Sequence, residues 1–197
     1  MSAVEPVTVS EAEALAAVAR LLGRLLVREV DRDFLRTLRT GVVASALADI
    51  GIDIPTGNAA SVVDGLASAY YSAFLDPQRG VALVQSLAVE GRYEGDSAVA
   101  LRQLAAEAGL EHDSAAARGA PGDHLGSILL LWADLAVRWP AGARALEDRH
   151  LAWARRPLET AGGSHAFYGA VARATRAFVE PLAFRASWGV AGGRGGS

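Results

Sequence analysis

Apolar residues recur every three or four positions along almost the whole chain, and nowhere do β-branched and polar residues alternate between turn signals. A chain patterned this way buries one face of each helix and carries nothing with which to build a sheet. Ser10 and Glu13 stand at capping-box spacing, followed by Leu15, Val18, Leu22, Leu25 and Leu26. Asp31 is placed to cap a second helix through Phe34, Leu35, Leu38 and Val42, which fades toward Gly51 and Pro55. Asn58 opens a third, with Val62, Val63, Leu66, Tyr70 and Phe74 down one side. Asp76-Pro77 pairs a cap with proline at the first helical position and predicts a short new helix at an angle. Ser97 starts another through Leu101, Leu104 and Ala108, with Gly109 as its stop.

Residues 110–122 form the longest stretch without helical periodicity. From Asp123 a strongly apolar helix runs through Leu125, Ile128, Leu129, Trp132 and Leu135 to Trp139, where Pro140 ends it. A helix around Ala143 to Arg155 follows, and Ser164 is placed to cap a last long one through Phe167, Val171, Phe178 and Leu182. The expected fold is all-α: one multi-helix bundle of about eight to ten helices over residues 1–188, divided into a longer and a shorter part by the loop 110–122. The glycine-rich residues 189–197 read as a flexible tail. Trp132, Trp139 and Trp153 are spaced for helix packing, with no polar group converging on them.

Composition narrows the function classes. Hydrophobic residues are 51% of the 197 and charged residues 21%, enough for a large core and incompatible with general disorder. Cysteine is absent, which excludes disulfides, thiolate metal sites and a cysteine nucleophile. All 19 basic residues are arginine, so neither Schiff-base chemistry nor a P-loop lysine is available. A net charge of −3 argues against a nucleic-acid partner. The most apolar stretch, residues 125–137, is interrupted by Asp134 and falls short of the roughly 20 residues a membrane span needs. Stable membrane insertion is therefore not expected. Three glutamates precede the first arginine, Arg20, which is not the basic start of a secretory signal; the expectation is a cytoplasmic protein.

Catalytic signatures are weak. Gly126-Ser127 lacks the second glycine and the strand of a nucleophile elbow. Gly91 and Gly95 frame no phosphate loop. His112, His124, His150 and His165 show no metal-ligand spacing; His112-Asp113 is similar to the opening of the all-α HD phosphohydrolases, which need several further ligands. No catalytic residue, metal or cofactor is expected.

Pro121-Gly122-Asp123-His124 is the more informative segment. Asp123 suits the N-cap of the apolar helix, and on capping alone nothing more is required. Yet Pro121-x-Asp123-His124 ahead of an apolar helix resembles the signature of the TorD/DmsD family, chaperones that mature molybdenum-containing oxidoreductases. Upstream, residues 69–77 resemble that family's Glu-Tyr-x-x-Leu-Phe-x-Gly-Pro element, keeping Tyr70, Phe74 and Pro77 and replacing the glutamate, leucine and glycine by Ala69, Ala73 and Asp76. Gly95-Asp96-Ser97 leading to Leu101-Arg102 resembles the family's helix entry. His150-Leu151-x-Trp153 and Phe167-Tyr168 are similar to its His-Leu-x-x-Trp and Phe-Tyr elements, with the tryptophan one place early. The likeness extends over residues 68–178.

The resemblance implies a TorD-like bundle, monomeric or dimeric, that binds the twin-arginine leader and the apo form of a molybdoenzyme catalytic subunit until cofactor insertion and folding are complete. Two guanidinium groups followed by an apolar segment call for carboxylates beside an apolar groove. Asp123, Asp76, Glu111 and Asp113 are candidates for the first requirement, and Tyr70, Phe74, Pro77 and Leu125 for the second, with Pro121 beside them. Asp123 and His124 form the expected centre: Asp123 as helix cap and arginine partner, His124 as a hydrogen-bond partner of peptide backbone that weakens binding of a basic ligand when protonated. The competing expectations are a metal-dependent HD-like phosphohydrolase and an adaptor for the mature client rather than its leader.

Overall fold

The computed structural model describes residues 10–111 and 119–191, with side chains as far as residue 183. His112, Asp113 and the tail residues 192–197 lie outside the described residues. Ten α-helices are present among those described and no strand: α1 Glu11–Val27, α2 Arg32–Leu38, α3 Gly41–Asp49, α4 Ala59–Tyr70, α5 Gln85–Glu90, α6 Asp96–Glu107, α7 Leu125–Arg138, α8 Pro140–His150, α9 Arg155–Ala161 and α10 Ala166–Ala191. The chain is an all-α multi-helix bundle, as its periodicity predicts. No helix among the described residues is long and apolar enough to cross a membrane.

The bundle is organised around α1, α7 and α10. Leu22, Leu25 and Leu26 of α1 and Leu125, Ile128 and Leu129 of α7 are fully buried. The two helices can lie this close because Gly23 and Gly126 face each other at the crossing, where a Cβ on Gly23 would sit 2.8 Å from the Gly126 carbonyl oxygen. Arg20 and Asp134 add an ion pair of 2.9 Å across the rim of the same crossing. Both side chains are half exposed, so the pair contributes at most about 1 kcal/mol. Tyr168 of α10 is fully buried and meets Tyr70 and Phe74 edge-on, with ring centroids 5.4 and 5.6 Å away.

Several local expectations are corrected. The helix expected from Asp31 through Val42 breaks at Thr40; α3 then turns Val42 outward, leaving it 85% exposed. No helix follows Asp76-Pro77. The Asp76 carboxylate instead accepts the backbone N–H groups of Gln78 and Arg79, and Gly80 donates back to the Asp76 carbonyl, closing a turn. Only glycine fits at position 80, because a Cβ would stand 2.6 Å from that carbonyl oxygen. Ser97 does not cap α6. The Glu90 carboxylate reaches across the 91–95 turn and accepts from the N–H groups of Asp96 and Ser97 and from the Ser97 hydroxyl. These bonds hold its pKa below the usual carboxylate value. Ser164 donates to the carbonyl of Ala161 rather than capping α10, where His165 Nδ1 accepts from Phe167 N–H at 3.3 Å.

Pro140 both stops α7 and opens α8 as its first residue. The helix expected to reach Arg155 ends at His150, and a 3₁₀ turn, Ala152–Ala154, separates it from α9. The last helix continues to Ala191, three residues into the expected tail. Trp132 is buried in the core and Trp139 and Trp153 pack partly buried against it, but Trp132 and Trp153 are not without polar partners. Trp132 donates to the buried Glu147 carboxylate at 2.8 Å, and Trp153 to the His150 carbonyl at 2.9 Å.

Candidate functional site

Asp123 and His124 exchange the roles that the sequence suggests for them. His124 has extended backbone (φ −69°, ψ 136°) and is the N-cap of α7, its Nδ1 accepting from Gly126 N–H at 3.1 Å. Asp123 caps a different helix. Its Oδ2 accepts from Ser86 N–H at 2.9 Å, in the first turn of α5, whose own N-cap residue, Val84, supplies no side-chain acceptor. This cap acts across the fold because residues 83–85 and 123–125 pair antiparallel for one step. Gln85 N–H donates to the Asp123 carbonyl at 3.0 Å and Leu125 N–H to the Leu83 carbonyl at 2.8 Å.

Burial sets the chemistry of these groups. Asp123 is fully inaccessible, and its second oxygen, Oδ1, has no hydrogen bond among the described residues. It is not placed to meet a ligand's guanidinium, which corrects the role expected of it. His124 is pushed down to about 4 by desolvation, only partly offset by the neighbouring Asp123 charge. It therefore stays neutral near pH 7, and the expected loss of binding through its protonation does not apply. Since Nδ1 is an acceptor, the proton sits on Nε2, which is left as a donor. Behind it, His150 Nδ1 lies 2.9 Å from Gln85 Oε1, and Gln85 Nε2 donates to the Arg149 carbonyl. Desolvation and the Arg149 charge hold His150 down to about 4 as well.

In front of this buried layer lies a groove of about 450 Å³. Tyr70 and Phe74 form its floor, at 6% and 8% exposure. The α4 stripe delivers both because the chain continues past Tyr70 as a π-helical turn, Tyr71–Leu75, that carries Phe74 beside it. Tyr70 is fixed there by donating to the Leu26 carbonyl at 2.8 Å, and burial raises its phenol to about 12. Pro121 and His124 line the groove from the α7 side, and Ala82, Leu83 and Val84 run along it. Leu75 and Tyr93 stand on its rim, 56% and 62% exposed, with Arg28 and Glu29 at the end of α1.

The structure thus unites Tyr70, Phe74, Pro121 and His124, which are far apart in sequence, and leaves other expected residues out. Leu125 is wholly in the core. Asp76 and Pro77 belong to the turn beyond the π-helical segment and do not line the groove, nor does Glu111. Sequence reasoning missed Leu75, Tyr93 and Glu29. For Tyr93 a signal existed, an aromatic in a Gly-Arg-Tyr-Glu-Gly turn where no helical stripe accounts for it. Glu29 had none, because its place depends on where α1 ends against the rest of the bundle. No cluster of three or more His, Asp and Glu side chains suited to a metal ion occurs among the described residues. No protein-family model matches this chain, and no curated protein matches it either.

Proposed function

We propose that this chain is a binding protein of the molybdoenzyme-maturation type. In this reading it is a cytoplasmic chaperone that holds the twin-arginine leader of an oxidoreductase catalytic subunit while the subunit acquires its cofactor and folds. The observation that carries this reading is the convergence of Tyr70, Phe74, Pro121 and His124, four of the residues on which the family resemblance rests, upon one groove. Its chemistry suits the ligand. An aromatic floor with apolar rim residues accepts the apolar part of a leader, and the His124 Nε2–H is a donor for a peptide carbonyl. The partner for a guanidinium moves from Asp123 to Glu29, which supplies the carboxylate among the described lining residues. Arg28 beside it is engaged by Asp31 at 2.9 Å, which offsets its charge.

Titration with a fluorescent synthetic peptide of two adjacent arginines followed by an alanine–leucine segment tests the reading. Tyr93→Ala and Glu29→Gln should each weaken binding by about tenfold, the scale of one lost aromatic contact or one charge-assisted hydrogen bond, and the exposed Tyr93 should do so with the melting temperature unchanged. Absence of saturable binding, or binding indifferent to both substitutions, overturns it. Capture of a client's mature domain without its leader, in place of peptide binding, would make the chain an adaptor instead.

A further inference from the structure

We propose that the groove takes its peptide as an added β-strand, whose backbone pairs with the open edge of residues 82–84. This deepens the peptide-binding reading above and rests on it. Segment 81–85 makes its backbone bonds to the bundle through odd-numbered residues. Val81 N–H donates to the Ala73 carbonyl at 2.8 Å, the Leu83 carbonyl accepts from Leu125 at 2.8 Å, and Gln85 N–H donates to the Asp123 carbonyl at 3.0 Å. Val84 is in extended conformation (φ −118°, ψ 123°), so successive residues present their N–H and C=O groups to opposite edges.

The even-numbered residues therefore face the other way. The Val84 carbonyl is taken by Ala88 N–H as α5 begins, but Val84 N–H and both backbone groups of Ala82 bond to no described residue. Ala82 is exposed, whereas Val84 is only 6% exposed, and both line the groove. Facing the groove, this N–H has no protein acceptor among the described residues, and a backbone donor left without one inside a fold is uncommon. An extended peptide supplies that acceptor and takes up the Ala82 groups in the same register. A helical ligand does not, because its own backbone bonds are satisfied internally. The edge is short, closed at one end by the Gly80 turn and at the other by the start of α5, so only a few ligand residues pair. Alternate side chains of those residues would fall toward Tyr70 and Phe74, and the His124 Nε2–H adds a donor beside them.

The test uses the same diarginine–alanine–leucine peptide together with a series carrying one N-methyl group at each successive position. Strand addition requires that affinity fall by about tenfold at every second position of one short stretch and hold at the positions between. Hydrogen exchange at Val84 N–H should slow when the parent peptide is bound. If the parent binds and Tyr93→Ala weakens it, yet N-methylation shows no period of two, the strand mode is overturned and the peptide-binding reading stands. If the parent does not bind, both fall.

Discussion

A Cβ on Gly126 would stand 2.7 Å from the carbonyl oxygen of Gly23 and 2.5 Å from Val27 Cγ1. The helix that carries His124 into the groove is thus seated directly on the backbone of α1, with the groove residues Val27 to Glu29 at the end of that same helix.

Gly126→Ala is predicted to destabilise the fold despite alanine's better helix propensity. Propensity favours the change by about 1 kcal/mol, but overpacking against backbone costs roughly 1–3 kcal/mol or more. Gly65→Ala in α4 is the control. Nothing lies within 4 Å of a Cβ there, so stability should rise by about 0.5–1 kcal/mol. Urea unfolding of the two variants should move their midpoints in opposite directions.

Removal of the Asp123 carboxylate should act on stability first. Asp123→Ala leaves Ser86 N–H buried without an acceptor and should cost about 1–3 kcal/mol. Asp123→Asn retains an oxygen for that bond and removes a buried charge, so it should unfold within about 1 kcal/mol of the parent. If Asp123→Asn instead abolished peptide binding in a fully stable protein, direct contact with the ligand would have to be reinstated.

Acid should weaken the fold through its buried imidazoles. His124 is held down to about 4 from 6.5. Below pH 6.5 the unfolded chain binds a proton that the folded chain refuses, so stability declines as pH falls through that window. The His124 contribution is on the order of 3 kcal/mol across the window. His124→Asn keeps a good N-cap for α7 without a titrating group, and melting temperatures from pH 7 to pH 4 should fall less steeply in it. An unchanged slope would place the acid sensitivity elsewhere.

The Tyr70 hydroxyl lies in the core and its ring in the groove floor, so the two can be separated. Tyr70→Phe loses the bond to the Leu26 carbonyl and should cost about 1 kcal/mol, leaving peptide affinity unaltered. Loss of affinity with intact stability would show that the hydroxyl reaches the ligand.

Local sequence determined a good deal of this molecule. The capping box at Ser10 and Glu13, the caps at Asp31 and Asn58 and the stop at Pro140 all form where their spacing places them, because each depends only on residues within one turn. The apolar stripes likewise carry Leu22, Leu66 and Ile128 into the core. What only the tertiary structure decided is which partner each polar group finds. From the sequence Asp123 is the natural cap for α7, yet its carboxylate crosses to Ser86 and the imidazole next to it takes over α7. Glu90 likewise displaces Ser97 at the start of α6. A buried N–H takes whichever acceptor packing brings within reach, and chain neighbours hold no priority once segments such as 83–85 and 123–125 lie side by side. The groove follows from the same cause: Tyr70, Phe74, Pro121 and His124 meet because the end of α4 is tied to α1 at Leu26 while α7 packs along α1, a distance relation that no local spacing encodes.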